Sequence, residues 1–172
     1  SSSHVSHMHH GDFYSSEKSM TLDGARKVKM ELITKSGKNI VLKPEVALQD
    51  REVIDSMFMS KKALLDFYEE QIQDAYETGV MFSLHVKATM MKVSHPLVFG
   101  HCVRMFYRDA FEKHHDLFEE LGVNVNYGMV DLYNKIETLP RSLQEEIRED
   151  LHACHATRPE LAMVDSNKGI TN

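Results

Sequence analysis

The chain has 172 residues and a formal charge of −6, from 20 Lys and Arg against 26 Asp and Glu. That length suits one ordinary domain with a real core, and 42% hydrophobic with 27% charged residues is a globular balance, not a disordered one. Net acidity argues against nucleic acid as the main ligand, no uncharged stretch reaches a membrane span, and nothing recurs at a fixed period.

Residues 1–19 are rich in Ser and His (His4, His7, His9, His10) and poor in apolar anchors, which predicts a flexible N-terminal arm. Residues 20–172 are expected to form a single α/β subdomain. The leading Ser and the plain ending Ile170-Thr171-Asn172 suggest an internal piece of a longer polypeptide. Over residues 27–42 the pattern is a β-hairpin. Val28, Met30, Leu32 and Thr34 alternate with Lys29, Glu31, Ile33 and Lys35, Ser36-Gly37 turns the chain, Ile40 and Leu42 carry the return strand, and Pro44 is expected to close it. A helix is predicted over 61–78, with Leu64, Phe67, Gln71, Ile72 and Ala75 at helical spacing and Gly79 just past its end.

Residues 80–87 read as a strand. Val80, Phe82, Leu84 and Val86 make one face; Met81, Ser83, His85 and Lys87 make the other, so a polar row ends in a lysine. Ligands of open α/β sheets sit at that edge. Pro96 then opens a long predicted helix that Gly122 stops, and a short helix is expected over 129–137. Another follows Pro140, with Ser142 and Glu145 at capping-box spacing. Residues 161–164 read as a buried strand that enters the turn Asp165-Ser166-Asn167-Lys168-Gly169. Strands and helices interleave throughout, giving an α/β fold of mixed α+β layers: a β-hairpin and central strands packed with helices.

Several chemistries have no motif here. Neither a dinucleotide-binding G-x-G-x-x-G nor a P-loop occurs, and G-x-S-x-G and H-E-x-x-H are missing too. Cys102 and Cys154, with no signal-peptide pattern, read as reduced thiols of a cytoplasmic protein. His152, Cys154 and His155 lie within one helical turn and lack the second pair that completes four metal ligands, so they read as helix-end residues. His114-His115 falls in the long helix, with His114 near its apolar stripe, and reads as a satisfied or exposed histidine pair, not a catalytic one. Lys87 is the candidate functional residue, as a proton-transfer group or an anion ligand.

Four collinear stretches resemble the monomeric NADP-dependent isocitrate dehydrogenases. The longest is Phe82-Ser-Leu-His-Val-Lys-Ala-Thr-Met-Met-Lys-Val-Ser-His-Pro-Leu-Val-Phe-Gly-His101. The others are Ser3-His-Val-Ser-His-Met8 with Gly11-Asp-Phe-Tyr14, Phe118-Glu-Glu-Leu-Gly-Val-Asn-Val-Asn126, and Leu161-Ala-Met-Val-Asp-Ser-Asn-Lys-Gly-Ile-Thr-Asn172. Members of that family are several times longer, so the resemblance implies an internal fragment of the large domain.

The resemblance further implies oxidative decarboxylation of isocitrate to 2-oxoglutarate, with NADP as hydride acceptor and Mg²⁺ or Mn²⁺ chelating the substrate. It assigns Lys87 as the catalytic proton relay and substrate contact, and makes Lys92 a structural or electrostatic neighbour. The family's metal-binding aspartate falls beyond the Asp165 turn, so Asp165 is not taken as a metal ligand. No metal ligand and no cofactor-binding residue is assigned within this chain, and no tightly bound cofactor is expected on it. The implied partners are the substrate and the remaining domains of the same polypeptide, without nucleic acid or membrane, and the isolated fragment is expected to be inactive. The alternative is a stand-alone, non-catalytic binding domain derived from the same family.

Overall fold

The computed structural model describes residues 3–165 and 169–171, with side chains as far as Ala162. The described residues form seven α-helices and seven short strands, a mixed α/β arrangement. They fall into two compact units: His9–Ser60, and everything from Lys61 onward together with the residues up to Met8.

The His9–Ser60 unit contains α1 (Phe13–Ser16), β1 (Lys18–Thr21), β2 (Arg26–Ile33), β3 (Asn39–Leu48) and β4 (Val53–Ser56). β1 pairs antiparallel with β4, and β2 with β3. Ser36-Gly37 makes the hairpin turn as expected. Gly37 takes φ 79, and Thr34 and Lys38 close the loop through a backbone bond of 2.9 Å. The hairpin does not end at Pro44, however. β3 runs on to Leu48 because the register shifts between Val28 and Met30, opposite the proline. A bulge there spares the ladder the N–H that proline lacks.

In the larger unit, α2 (Lys61–Thr78) buries Leu64, Tyr68, Ile72 and Ala75, and Gly79 ends it at φ 67. β5 (Phe82–Ser83) follows, then α3 (Ser94–Phe106), α4 (Arg108–Lys113), α5 (His115–Glu120), α6 (Val130–Ile136) and α7 (Arg141–Cys154). A 3₁₀ turn (His155–Thr157) leads into β6 (Leu161–Asp165) and β7 (Gly169–Thr171). The sheet order is β5-β6-β7, with β5 and β6 parallel. The expected turn after Asp165 lies, at residues 166–168, outside the described residues.

The expected strand over 80–87 is a ladder of two residues only, since β6 offers partners to Phe82 and Ser83 alone. The long helix is jointed at Tyr107 (φ −103, ψ 30) and His114 (φ −103, ψ 20). Yet Tyr107 N–H still reaches the Val103 carbonyl at 3.0 Å, and Phe118 N–H reaches that of His114 at 2.9 Å. Both joints fall on buried residues tethered elsewhere. Tyr107 Oη lies 3.3 Å from His155 Nε2, and His114 Nε2 lies 2.6 Å from Asp150 Oδ2. The capping box does not form either. Pro140 takes the N-cap position, Ser142 falls inside the first turn, and Glu145 accepts instead from Arg141 Nε at 2.9 Å.

The core of this unit is built on Tyr68, Ile72, Val103, Phe106, Val125, Leu132, Ile136 and Ile147, all fully buried. Burial pushes the Cys102 thiol up to about 12, so it is an inert packing group. Beside this core, Asp150 joins α4 to α7: Lys113 Nζ donates to it at 2.8 Å and to Glu146 at 2.9 Å. Burial opposes ionisation of Asp150, but the hydrogen bonds from Lys113 and His114 outweigh it and hold the carboxyl below its ordinary value. That contribution to stability is complete above the ordinary carboxylate range and disappears as the pH falls through the folded-state value. Lys113 is raised by its bonds to Asp150 and Glu146, so its share is lost only as the pH rises through its own folded-state value. Asp150→Asn is therefore expected to lower the melting temperature at neutral pH, with the gap from wild type closing on acidification. A gap that persists down to about pH 2 is the contrary result.

Candidate functional site

Past Ser83 the ladder stops but the alternation continues. Leu84 and Val86 are half-buried, whereas Ser83, His85 and Lys87 are exposed. The two faces expected for this segment are therefore present without a full strand. At Lys87 the chain turns. Its carbonyl accepts from the N–H groups of Met90 (3.2 Å) and Met91 (3.1 Å), and its own N–H donates to His95 Nδ1 at 3.0 Å.

A cleft of about 530 Å³ opens along this turn, lined by Leu84, His85, Val86, Lys87, Ala88, Thr89, Lys92, Phe99, Asn126 and Tyr127. Lys87 and Lys92 thus share one cavity. Among the described residues, neither ammonium is in ion-pair contact with a carboxylate, and no carboxylate lines the cleft. Two ammonium groups, a hydroxyl, an amide and a phenol over the buried Phe99 ring suit an anionic, oxygen-rich molecule. They do not suit a divalent cation, which is held by carboxylate and carbonyl oxygens.

The far wall arrives from a loop that sequence reasoning did not connect to Lys87. Asn126 N–H donates to Asn124 Oδ1 at 3.0 Å, and Asn124 N–H donates to Asp131 Oδ2 at 2.6 Å, which anchors the loop to α6. The loop lies so close to α3 that a Cβ at Gly100 would stand 2.1 Å from Asn126 Oδ1 and 3.0 Å from its Cα. A glycine in the interior of a predicted helix was the available signal of that approach. Gly100→Ala is expected to push the loop outward and destabilise the fold by about 1–3 kcal/mol, as overpacked sites do. Denaturant unfolding measures it; a wild-type midpoint would mean the loop yields without cost.

A second cleft, of about 600 Å³, lies between α2 and residues 80–85, with residues 3–6 along its edge. Its polar groups already satisfy one another: His4 with Asp74 at 3.4 Å, Ser6 with Gln71, and Ser83 with His85 at 2.8 Å. The Lys87 cleft is the better ligand site because no carboxylate among the described residues compensates its cations.

The other sequence candidates stay apart from it. His155 packs edge-on to Phe106 and Tyr107, and the buried Cys154 Sγ donates to the Asp150 carbonyl at 3.4 Å. His114 sits with Glu146 and Asp150, the one grouping among the described residues with metal-ligand proximity, but Lys113 already bonds both carboxylates. Nothing is described of the Asp165 side chain.

The profile of the monomeric isocitrate dehydrogenase family matches residues 1–172, all of the chain. The chain is 74% identical, over its whole length, to isocitrate dehydrogenase [NADP] 2 of Mycobacterium tuberculosis. It is 67% identical to isocitrate dehydrogenase [NADP] 2 of a Psychrobacter species, and 51% identical to isocitrate dehydrogenase [NADP] of Azotobacter vinelandii. In each case it covers 23% of the relative. A match that runs unbroken through the Lys87 turn and the Asn126 loop leaves one assignment: the chain belongs to the monomeric isocitrate dehydrogenase family.

Proposed function

We propose that the full-length protein oxidatively decarboxylates isocitrate to 2-oxoglutarate, with NADP taking the hydride, and that this chain supplies Lys87 to the reaction. The observation that carries this reading is the place of Lys87: a pinned backbone, and an ammonium facing an electropositive cleft with no counter-ion among the described residues. In that cleft Lys87 holds a carboxylate of the substrate and moves a proton between substrate and solvent. Lys92 adds to the field that draws in a tricarboxylate.

Mg²⁺ or Mn²⁺ is proposed for the complete enzyme, but the residues lining the Lys87 cleft do not fit such an ion. Its ligands, like the NADP site, are assigned to other parts of the polypeptide, and both units of this chain to the large domain. The proposed compartment is the cytoplasm. Cys102 and Cys154 are free thiols, and no helix among the described residues is long and apolar enough to cross a membrane.

The test is NADPH formation by the full-length protein given isocitrate, NADP and Mn²⁺, with one 2-oxoglutarate released per NADPH. The 172 residues alone are expected to give none. Turnover by the 172 residues, or none by the full-length protein, overturns the proposal.

A further inference from the structure

Beyond the last rung of β5, the Lys87 backbone has no neighbouring strand to bond with. Three hydrogen bonds replace the ladder and close a ring. Lys87 N–H donates to His95 Nδ1 at 3.0 Å, His95 N–H donates to the Met91 carbonyl at 3.2 Å, and Met91 N–H donates to the Lys87 carbonyl at 3.1 Å. The imidazole is the only side chain in that ring. It stands in the first turn of α3, whose following turns bury Phe99, Cys102, Val103 and Phe106. The orientation of the Lys87 peptide is thereby referred to the core.

From this ring we infer that His95 is a positioning residue for Lys87, an inference that rests on the catalytic reading of Lys87 given above. His95 accepts the Lys87 N–H through Nδ1, which places the proton of the neutral ring on Nε2. It does not line the Lys87 cleft. Its contribution is to fix where the exposed Lys87 side chain leaves the backbone. A flexible lysine gains most from that, since a displacement of about 1 Å costs on the order of 10²-fold in rate. Asparagine is the informative replacement: its Oδ1 stands one bond from Cγ, as Nδ1 does, and accepts from the same N–H. Glutamine carries its oxygen one methylene too far.

The experiment compares His95→Leu, His95→Asn and His95→Gln in the full-length enzyme, with Lys87→Met and the Lys87→Met/His95→Leu pair alongside. His95→Leu is expected to lower kcat by about 10- to 100-fold with little change in KM for NADP. His95→Asn recovers most of that loss and His95→Gln does not, a contrast that stands even if the leucine variant misfolds. In the Lys87→Met background, His95→Leu adds little further loss, because its effect passes through the lysine. Equal rates for Asn and Gln overturn the inference, and so does full additivity in the double variant. If Lys87→Met lowers kcat while His95→Leu keeps the wild-type rate, only the role of His95 falls. If Lys87→Met itself keeps the wild-type rate, the catalytic reading falls and the positioning role falls with it.

Discussion

Lys87→Met in the full-length enzyme is expected to lower kcat by about 10²- to 10⁴-fold, the usual worth of a positioned proton-transfer group. On the transition-state scale that is about 3–5 kcal/mol. The side chain is exposed and has no ion-pair partner among the described residues, so stability should stay within about 0.5 kcal/mol of wild type. Activity and stability therefore separate cleanly at this position. KM for isocitrate should rise as well. An ammonium 4 Å from a carboxylate contributes about 1 kcal/mol in open water but about 4 kcal/mol once bound substrate has displaced solvent from the cleft. KM for NADP is expected to stay constant. A methionine variant with wild-type kcat removes Lys87 from the mechanism.

Phe106→Ala produces the largest expected loss of stability. The ring is fully buried at the end of α3 and meets Tyr107 and His155 edge-on, with centroids 5.0 and 5.4 Å away. Its carbonyl also accepts from Arg158 Nε at 3.4 Å. Removing the ring opens a cavity where the α3–α4 joint meets the 3₁₀ turn, at about 3–5 kcal/mol. Against a total of about 5–15 kcal/mol for an ordinary domain, that is a large fraction. The melting temperature should drop by about 6–20 °C at this chain length. A loss below about 1 kcal/mol would mean that Tyr107 and His155 close over the space.

What the sequence made legible was mostly local chemistry. Ser36-Gly37 turns the hairpin, Gly79 and Gly122 end helices at φ 67 and 63, and α2 spans the expected 61–78. The apolar and polar faces of residues 82–87 are also where alternation put them. What stayed hidden depends on partners distant in sequence. The ladder at β5 stops at Ser83 because β6 pairs with only two residues there, a fact held 79 residues downstream. The joints at Tyr107 and His114 follow from ties to His155 and Asp150. Spacing alone made Ser142 a cap, yet Pro140 occupies the capping position. Within the site, Lys87 was visible as the end of a polar row. Asn126 and Tyr127 were not, because only packing against Gly100 brings their loop to the cleft.

The parallel pairing of Phe82 with Leu161 also constrains when the strand leading into the site can be completed during biosynthesis. A ribosome that has just emitted Lys87 has not yet made the strand on which the preceding residues will rest. At about 5–20 residues per second, the 79 residues from Phe82 to Leu161 take roughly 4–16 s to add. Helix α2 can form in that interval, while the nascent Phe82–Ser83 edge waits unpaired and open to chaperones. The Phe82–Ser83 rungs are thus among the last parts of this region to pair, although the lysine turn beyond them closes on local bonds, and slow codons between positions 87 and 161 would lengthen their exposure.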